Sequence, residues 1–408
     1  MAQNFKNTSL VTRLMLKAFM NSLQMGAKVD RQLDSQFRKV GDTINVRRPV
    51  MFTATDGATI SSAEDIEERT AAVQLSERKK VNFEITSQDL TLSVEDFTAR
   101  YVNPAAAELA QQVESSIADA YKQIGNFVGT PGTAPSTFLE VGAAAKVLTK
   151  LGVPMDSRWC AFYDEDASLA LADGLKAVFP SQIATKAIEE ASIGRYSKFE
   201  LYENQSLKLH TVGVATGTPL IDGAAQNTTY AASGDAWTQS LVTDGWTNST
   251  ADILLAGDVI TIAGVNSVNR KTRVDTGDLQ TFVVTADAAS GATTGPSTLT
   301  ISPPIITSGP YQTCAAAPAD GAAIVVKTGA GGASHKQNMA WHENAITLAM
   351  APLDLPTDGA TASRESFGNV SIRAVRQYDI INDKTIYRFD ILYGVKAQNP
   401  DFAVRTTS

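Results

Sequence analysis

Three histidines, two cysteines and a scatter of carboxylates are the residues here that could do chemistry. His335 and His342 stand seven apart. His342-Glu343 lacks the second histidine four residues on that a zinc-protease helix needs, so both read as surface or satisfied histidines, as does His210. Cys160 and Cys314 are far apart in the chain, which gives no zinc spacing and no disulfide framework, and fits a reducing compartment. Neither a Gly-x-Ser-x-Gly elbow nor a phosphate-binding Gly-x-x-x-x-Gly-Lys-Ser/Thr occurs. Ala323–Ser334 runs from a strand into Gly329, Gly331 and Gly332 and mimics a dinucleotide fingerprint. It has no third glycine in register and no prompt helix, and reads as a flexible return linker. Asp164-Glu165-Asp166 could be an acid pair or a metal site. Carboxylates opening a helix beside its positive end are the simpler account. The sequence implies no cofactor and no metal.

The elements that would carry such residues follow from pattern. The 408 residues imply two or three domains, and 43% hydrophobic with 19% charged residues describe a globular chain. A net charge of −8 argues against tight wrapping of nucleic acid. No run approaches the ~20 apolar residues of a membrane span, and the N-terminus lacks the apolar core of a secretory signal. Residues 215–334 contain no glutamate and hold 14 of the 28 glycines. Gly257–Ile262, Leu279–Thr285, Ser297–Ser302 and Ala323–Lys327 read there as short strands. A small β-barrel or sandwich is expected, set into a host domain of mixed α and β character.

Outside the insert, Leu10, Val11, Leu14, Met15, Ala18, Phe19 and Leu23 predict an amphipathic helix, docked on its own domain or on a neighbour. A membrane-targeting helix has only Arg13 and Lys17 to support it. Residues 41–90 read as a long hairpin. Its stalk is basic at Arg47, Arg48, Arg78, Lys79 and Lys80, and its tip is acidic at Glu64, Glu67 and Glu68. Such an arm suits complementary charge on a neighbouring subunit. Asn103-Pro104 predicts a capped helix running to Ile124. Helices are expected over Thr137–Leu151, from Asp164 to near Phe179, and again over Trp341–Met350. Strands are expected at Arg158–Tyr163, Phe199–Tyr202, Leu207–Val212, Val370–Arg376, Tyr378–Ile381 and Thr385–Tyr393, with a tight turn at Asn382-Asp383.

This order of parts resembles the tailed-phage major capsid proteins of the HK97-like fold, an α+β architecture. It is most similar to the short-tailed Salmonella phage coat proteins that carry an insertion domain. Gly257-Asp-Val-Ile-Thr-Ile-Ala-Gly264, Thr298–Pro304, Asn338–Ile346, Met350–Leu353, Asp390–Lys396 and Asn399-Pro400 carry the resemblance. It implies an N-terminal helical arm (1–40), an extended β-hairpin (41–90), and a spine helix with peripheral domain (91–135). An axial domain (136–214) follows, then the inserted barrel (215–334), the axial return (335–365) and closing peripheral strands (366–408).

The resemblance further implies a non-enzymatic structural protein. It would assemble with itself as hexamers and pentamers, with a scaffolding protein, around a portal, into an icosahedral procapsid in the host cytoplasm. The shell would expand as double-stranded DNA, touched only non-specifically, is packaged, and decoration proteins are compatible with it. Asp244 and Asp252 are candidate barrel charges facing other capsomers. Some relatives weld subunits through a Lys–Asn isopeptide bond. Lys79, Lys80, Asn382 and Asn399 supply the residue types, but the resembled branch is not a crosslinking one, so no crosslink is expected. Two other classes fit the residues alone: a carboxylate-based cytosolic hydrolase, and a surface adhesin or sugar-binding protein.

Overall fold

A computed structural model describes residues 8–31, 43–48, 50–52, 69–86, 98–175, 194–233, 236–357 and 360–407, with Ile44–Arg48, Arg69, Leu175 and Tyr196 as backbone only. The chain forms two compact units. One comprises Met1–Asn45, Ala72–Ala118 and Ile346–Lys396; the other comprises Val46–Ala71, Asp119–Ala345 and Ala397–Ser408.

In the first unit, the helix Thr8–Ser22 buries Val11, Met15 and Phe19 of the predicted stripe and adds Leu16, while Leu10 of that stripe is exposed. It docks on its own unit: the Thr12 hydroxyl meets Ser363 Oγ at 2.6 Å, and Arg13 pairs with Glu365 at 3.0 Å. The spine helix Asn103–Ala118 buries Leu109, Val113 and Ile117. Asn103 is not its cap. A π-turn over Thr98–Val102 feeds directly into the helix, and Asn103 is its first residue. The helix proper ends at Ala118, and Asp119–Gln123 is 3₁₀.

A five-stranded antiparallel sheet completes this unit, in the order Ile346–Met350, Lys384–Ala397, Val370–Asp379, Thr361–Phe367, with Glu77–Thr86 also paired to Lys384–Ala397. The expected single arm Thr70–Thr86 is therefore two strands. Arg69–Gln74 pairs with Thr43–Arg48, while Glu77–Thr86 pairs with Lys384–Tyr393 over ten residues. Phe83 stacks on Tyr387 and Tyr101 at 5.5 and 5.8 Å, which fixes the register by side-chain packing. The hairpin tip lies outside the described residues, as does the expected helical stretch beyond Leu175.

In the second unit, Ser334–His342 is the axis of a seven-stranded sheet. It pairs with Ala403–Thr407 on one side, and with Trp159–Tyr163 and Leu209–Thr211 on the other. Phe127–Val128, Phe199–Glu203 and Arg195–Tyr196 extend it. Val141, Ala144 and Leu148 of the helix Phe138–Lys150 and Leu171 of the helix Glu165–Leu175 pack on Trp159, Ala161, Phe199 and Ala340. Thr137 caps the first of these helices in a reciprocal capping box with Glu140. Asp164, buried, caps the second by accepting from Ala167 N at 3.1 Å, in line with the dipole reading of the acidic cluster.

The helix expected over Trp341–Met350 is absent. The segment is the end of one strand, a 3₁₀ turn at Glu343–Ala345 and the strand Ile346–Met350. Every residue of Ile346–Met350 is buried, so no alternation marks it, and short apolar runs do not distinguish strand from helix.

Six strands form a nearly closed barrel in the order Ile324–Val326, Val259–Val268, Asp275–Val284, Ser297–Ser302, Gln239–Trp246, Gly217–Ile221. The two ends meet through a Leu220–Ala323 bridge and Ile221 N donating to Ala322 O at 3.0 Å. Leu241, Trp246, Ile260, Ile262, Phe282, Leu299 and Ile301 fill it. Its last stretch is not a slack linker: a Cβ on Gly331 would lie 1.9 Å from Val214 O, and Gly332 N donates to Val212 O.

Candidate functional site

Sequence reasoning singled out charges that could meet neighbours. Arg47 and Arg48 end the strand Thr43–Arg48, and Glu64, Glu67 and Glu68 lie outside the described residues. Arg78, Lys79 and Lys80 fall on Glu77–Thr86 and are committed differently. Arg78 lies 3.7 Å from the buried Asp390. Lys79 pairs with Glu77 at 3.1 Å; that hydrogen bond and the carboxylate's charge raise its pKa. Lys80 is exposed, with no ion-pair partner among the described residues. Asp244 lies on the barrel strand Gln239–Trp246 opposite Leu220, half-buried. Asp252 is exposed in a loop, with φ +53. Among the described residues, these charges do not form one cluster.

It does assemble polar groups the sequence left unmarked. Asp390, fully buried, sits opposite Arg373 in the strand register. It accepts from Arg373 Nε at 3.2 Å and from Arg388 Nε at 2.8 Å. With Arg78 near, three guanidiniums neutralise one carboxylate and tie three adjacent strands together. Glu114, buried on the spine helix, clasps the turn after the N-terminal helix. Oε1 accepts from Gln24 N and Gly26 N at 2.9 and 3.1 Å, and Oε2 from Met25 N at 3.0 Å. One side chain thus satisfies three successive backbone donors beyond the helix end.

At the barrel root, Asp258 has no exposed surface and accepts four hydrogen bonds. His210 Nε2 and Thr328 Oγ1 reach Oδ1 at 2.9 Å each, while Leu255 N and Gly213 N reach Oδ2 at 2.8 and 3.0 Å. A carboxylate only accepts, so His210 carries its proton on Nε2; its Nδ1 faces Tyr121 Oη at 3.1 Å. Burial pushes the Asp258 carboxyl up, but His210 and the backbone donors outweigh it and hold the group below its ordinary value. Burial raises Tyr121 to about 12, and draws the buried Arg405 down to about 10, still charged at neutral pH. Arg405 donates to Gly257 O at 2.7 Å and lies 5.4 Å over the Tyr121 ring. Gly257 has φ +110, and a Cβ there would stand 3.0 to 3.2 Å from Tyr121 and His210, so this turn admits only glycine. The Gly257-Asp258 pair thus has a physical reason.

The remaining histidine chemistry is structural. Buried His342 has Nε2 3.1 Å from Asp156 Oδ1, and its Nδ1 accepts from Asn344 N. Both cysteines are buried and free; burial raises the Cys314 thiol to about 11, far from a reactive thiolate. Among the described residues no three His, Cys, Asp or Glu side chains are placed to hold a metal, and no helix is long and apolar enough to cross a membrane. Tyr121, His210 and Asp258 line up as hydroxyl, base and carboxylate, but all three are buried and the Tyr121 hydroxyl is pushed up to about 12, so the row ties the barrel root together rather than facing a substrate.

A model of the family described as P22 coat protein, gene protein 5, matches residues 1–405. The chain belongs to the P22 coat protein family. It is a major capsid protein: a non-enzymatic structural protein that assembles with its own copies into the icosahedral shell of a bacteriophage virion. The architecture is the HK97-like α+β capsid fold with a barrel-like sheet.

Solved structures similar to this coat protein include a chain of Mycobacterium phage Che8, 13% identical with TM-score 0.48, covering 94% of this chain and 90% of that one. A chain from the capsid structure of the Cyanophage P-SCSP1u is 11% identical with TM-score 0.44, covering 90% and 84%. The CUS-3 coat protein I-domain is 27% identical with TM-score 0.20, covering 28% of this chain and 98% of that one. No curated protein matches the chain.

Proposed function

We propose that this coat protein assembles in the host cytoplasm, with a scaffolding protein and around a portal, into a procapsid of hexamers and pentamers that expands as double-stranded DNA is packaged. The match of the coat-protein family over residues 1–405 carries this reading. Physical chemistry supports it. A closed shell needs modest heterologous interfaces repeated many times, each burying about 1,000–2,000 Å². Multiplicity then supplies stability that no single contact has. A chain of net charge −8 makes only non-specific contact with DNA, leaving the packaged duplex free to move.

In this reading the charged hairpin crosses a neighbouring subunit. Arg47, Arg48, Lys79 and Lys80 meet acidic surface there, and the tip carboxylates Glu64, Glu67 and Glu68 meet basic surface. Asp244 and Asp252 of the barrel face other capsomers, and the shell is compatible with decoration proteins. Subunits remain unlinked covalently, as in the non-crosslinking branch that the chain resembles.

Co-expression with candidate scaffolding proteins, followed by negative-stain microscopy, tests the proposal. Uniform closed shells that require the partner are expected. A chain that stays monomeric with every partner overturns it, and a covalent ladder from purified particles on a denaturing gel overturns the uncrosslinked reading.

A further inference from the structure

The strand Val370–Asp379 presents unlike surfaces at its two ends. Beyond its last residue, Ile380 and Ile381 are 83% and 88% exposed, the most exposed large apolar side chains among the described residues. The turn that carries them is held rigidly. Asp379 accepts from Ile381 N at 3.0 Å and from the Asn382 amide at 2.7 Å, and Tyr378 Oη donates to Asp383 at 2.7 Å. Those amide donors keep the Asp379 carboxyl below its ordinary value, so it is charged at neutral pH. The knob is therefore apolar, preordered and acid-flanked, and it loses little conformational freedom on docking.

At the other end, before Val370, a groove of about 440 Å³ runs between the N-terminal helix and the strand Thr361–Phe367. Leu16, Met20 and Phe367 form its apolar wall, and Phe367 is 69% exposed. Arg13 and Lys17 form its rim. Arg13 already holds Glu365 at 3.0 Å, whereas Lys17 is exposed and has no ion-pair partner among the described residues.

We propose that the Ile380–Ile381 turn of one subunit seats in the groove beside the N-terminal helix of a second copy, with Asp379 and Asp383 facing Lys17. A subunit cannot fill its own groove, because a ten-residue strand separates knob from groove by about 30 Å. The two surfaces differ, so the contact is head-to-tail and propagates from copy to copy, closing only through curvature. Charge fixes the direction: an acidic knob meets a basic rim, whereas knob against knob would bring like charges together.

The inference rests on shell formation, and its test reads the two separately. Wild-type particles, checked by electron microscopy, are treated with a zero-length carbodiimide and digested for mass spectrometry. A Lys17–Asp379 or Lys17–Asp383 linked peptide is expected from particles and not from unassembled chains. In a second arm, the double variant Asn21→Cys and Ile381→Cys is oxidised after assembly. The native thiols are buried, so a ladder of covalent multimers is expected on a non-reducing gel. Intact particles with neither the linked peptide nor the ladder overturn the contact while leaving shell formation standing. Covalent species that stop at dimers overturn its head-to-tail character.

Discussion

Truncating Asp258 is the sharpest test of what holds the barrel to its host. The side chain is fully buried and accepts from His210, Thr328, Leu255 N and Gly213 N. Asp258→Ala leaves four donors facing a void. Each buried donor without a partner costs about 1–3 kcal/mol, but the four share one site and do not add. Breaking a buried ionic hydrogen-bonded group costs about 3–5 kcal/mol, and that is the expected loss. All four tryptophans lie in the second unit, so their fluorescence during urea unfolding reports that unit alone. Asp258→Asn keeps the shape but turns N–H groups toward donors, and is expected to lose about 1–3 kcal/mol. The double variant with His210→Ala is expected to depart from additivity by about 0.5–3 kcal/mol. A loss below about 1 kcal/mol for Asp258→Ala would refute the reasoning, because the root would then be held by packing alone.

Three further outcomes follow from the same geometry. Glu114→Gln keeps one acceptor oxygen for the three amides of residues 24–26 and is expected to cost about 1–3 kcal/mol; faster hydrogen exchange at Met25 and Gly26 would show it. Burial pushes the Asp156 carboxyl up, but Arg158 and His342 outweigh it and draw it to about 2. Its folded value is depressed, so its stabilising contribution is present above the unfolded value of about 3.9 and is lost as pH falls through about 2; carboxylate NMR shifts followed from pH 5 to 1.5 check this. Lys80→Gln removes the charge without placing a second carboxylate opposite Asp390 in the strand register; it is expected to leave subunit stability within about 0.5 kcal/mol while lowering particle yield on sedimentation.

Much of the architecture was legible in the chain, for local reasons. The stripe of Val11, Met15 and Phe19 marked the first helix, and the alanine-rich run Thr137–Leu151 marked another. The alternation of Val81, Phe83 and Ile85 marked the strand that now pairs with Lys384–Tyr393. What failed was non-local. Ile346–Met350 is buried throughout, so its strand identity depends on neighbours rather than on period. The barrel strands Gly217–Ile221 and Gln239–Trp246 were missed because glycine, proline and polar residues interrupt them. The Gly257-Asp258 pair stood among the quoted motifs, yet its meaning needed His210 and Arg405, which lie 48 and 148 residues away from it. Asp390 was visible only as an ordinary strand carboxylate, because its three arginines come from three strands.

The division of charge within the subunit has a physical logic. The carboxylates with the most partners, Asp258, Asp390 and Glu114, are buried and each is satisfied within its own unit. A charge left waiting for a neighbour at such depth would cost several kcal/mol in every unassembled chain. Apolar groups carry no comparable penalty when exposed singly, and gain about 1.5–3 kcal/mol each when buried. A subunit that must first stand alone and then associate reversibly is served by keeping its ionic ties internal. Its intersubunit contacts can rest on small apolar knobs such as Ile380 and Ile381, with surface charge setting direction. By this argument, replacing Asp390 should damage folding and assembly together, while replacing Ile381 with Asp should spare the fold and reduce assembly alone. Monomer unfolding and particle yield, measured on the same pair of variants, would expose a failure of that separation.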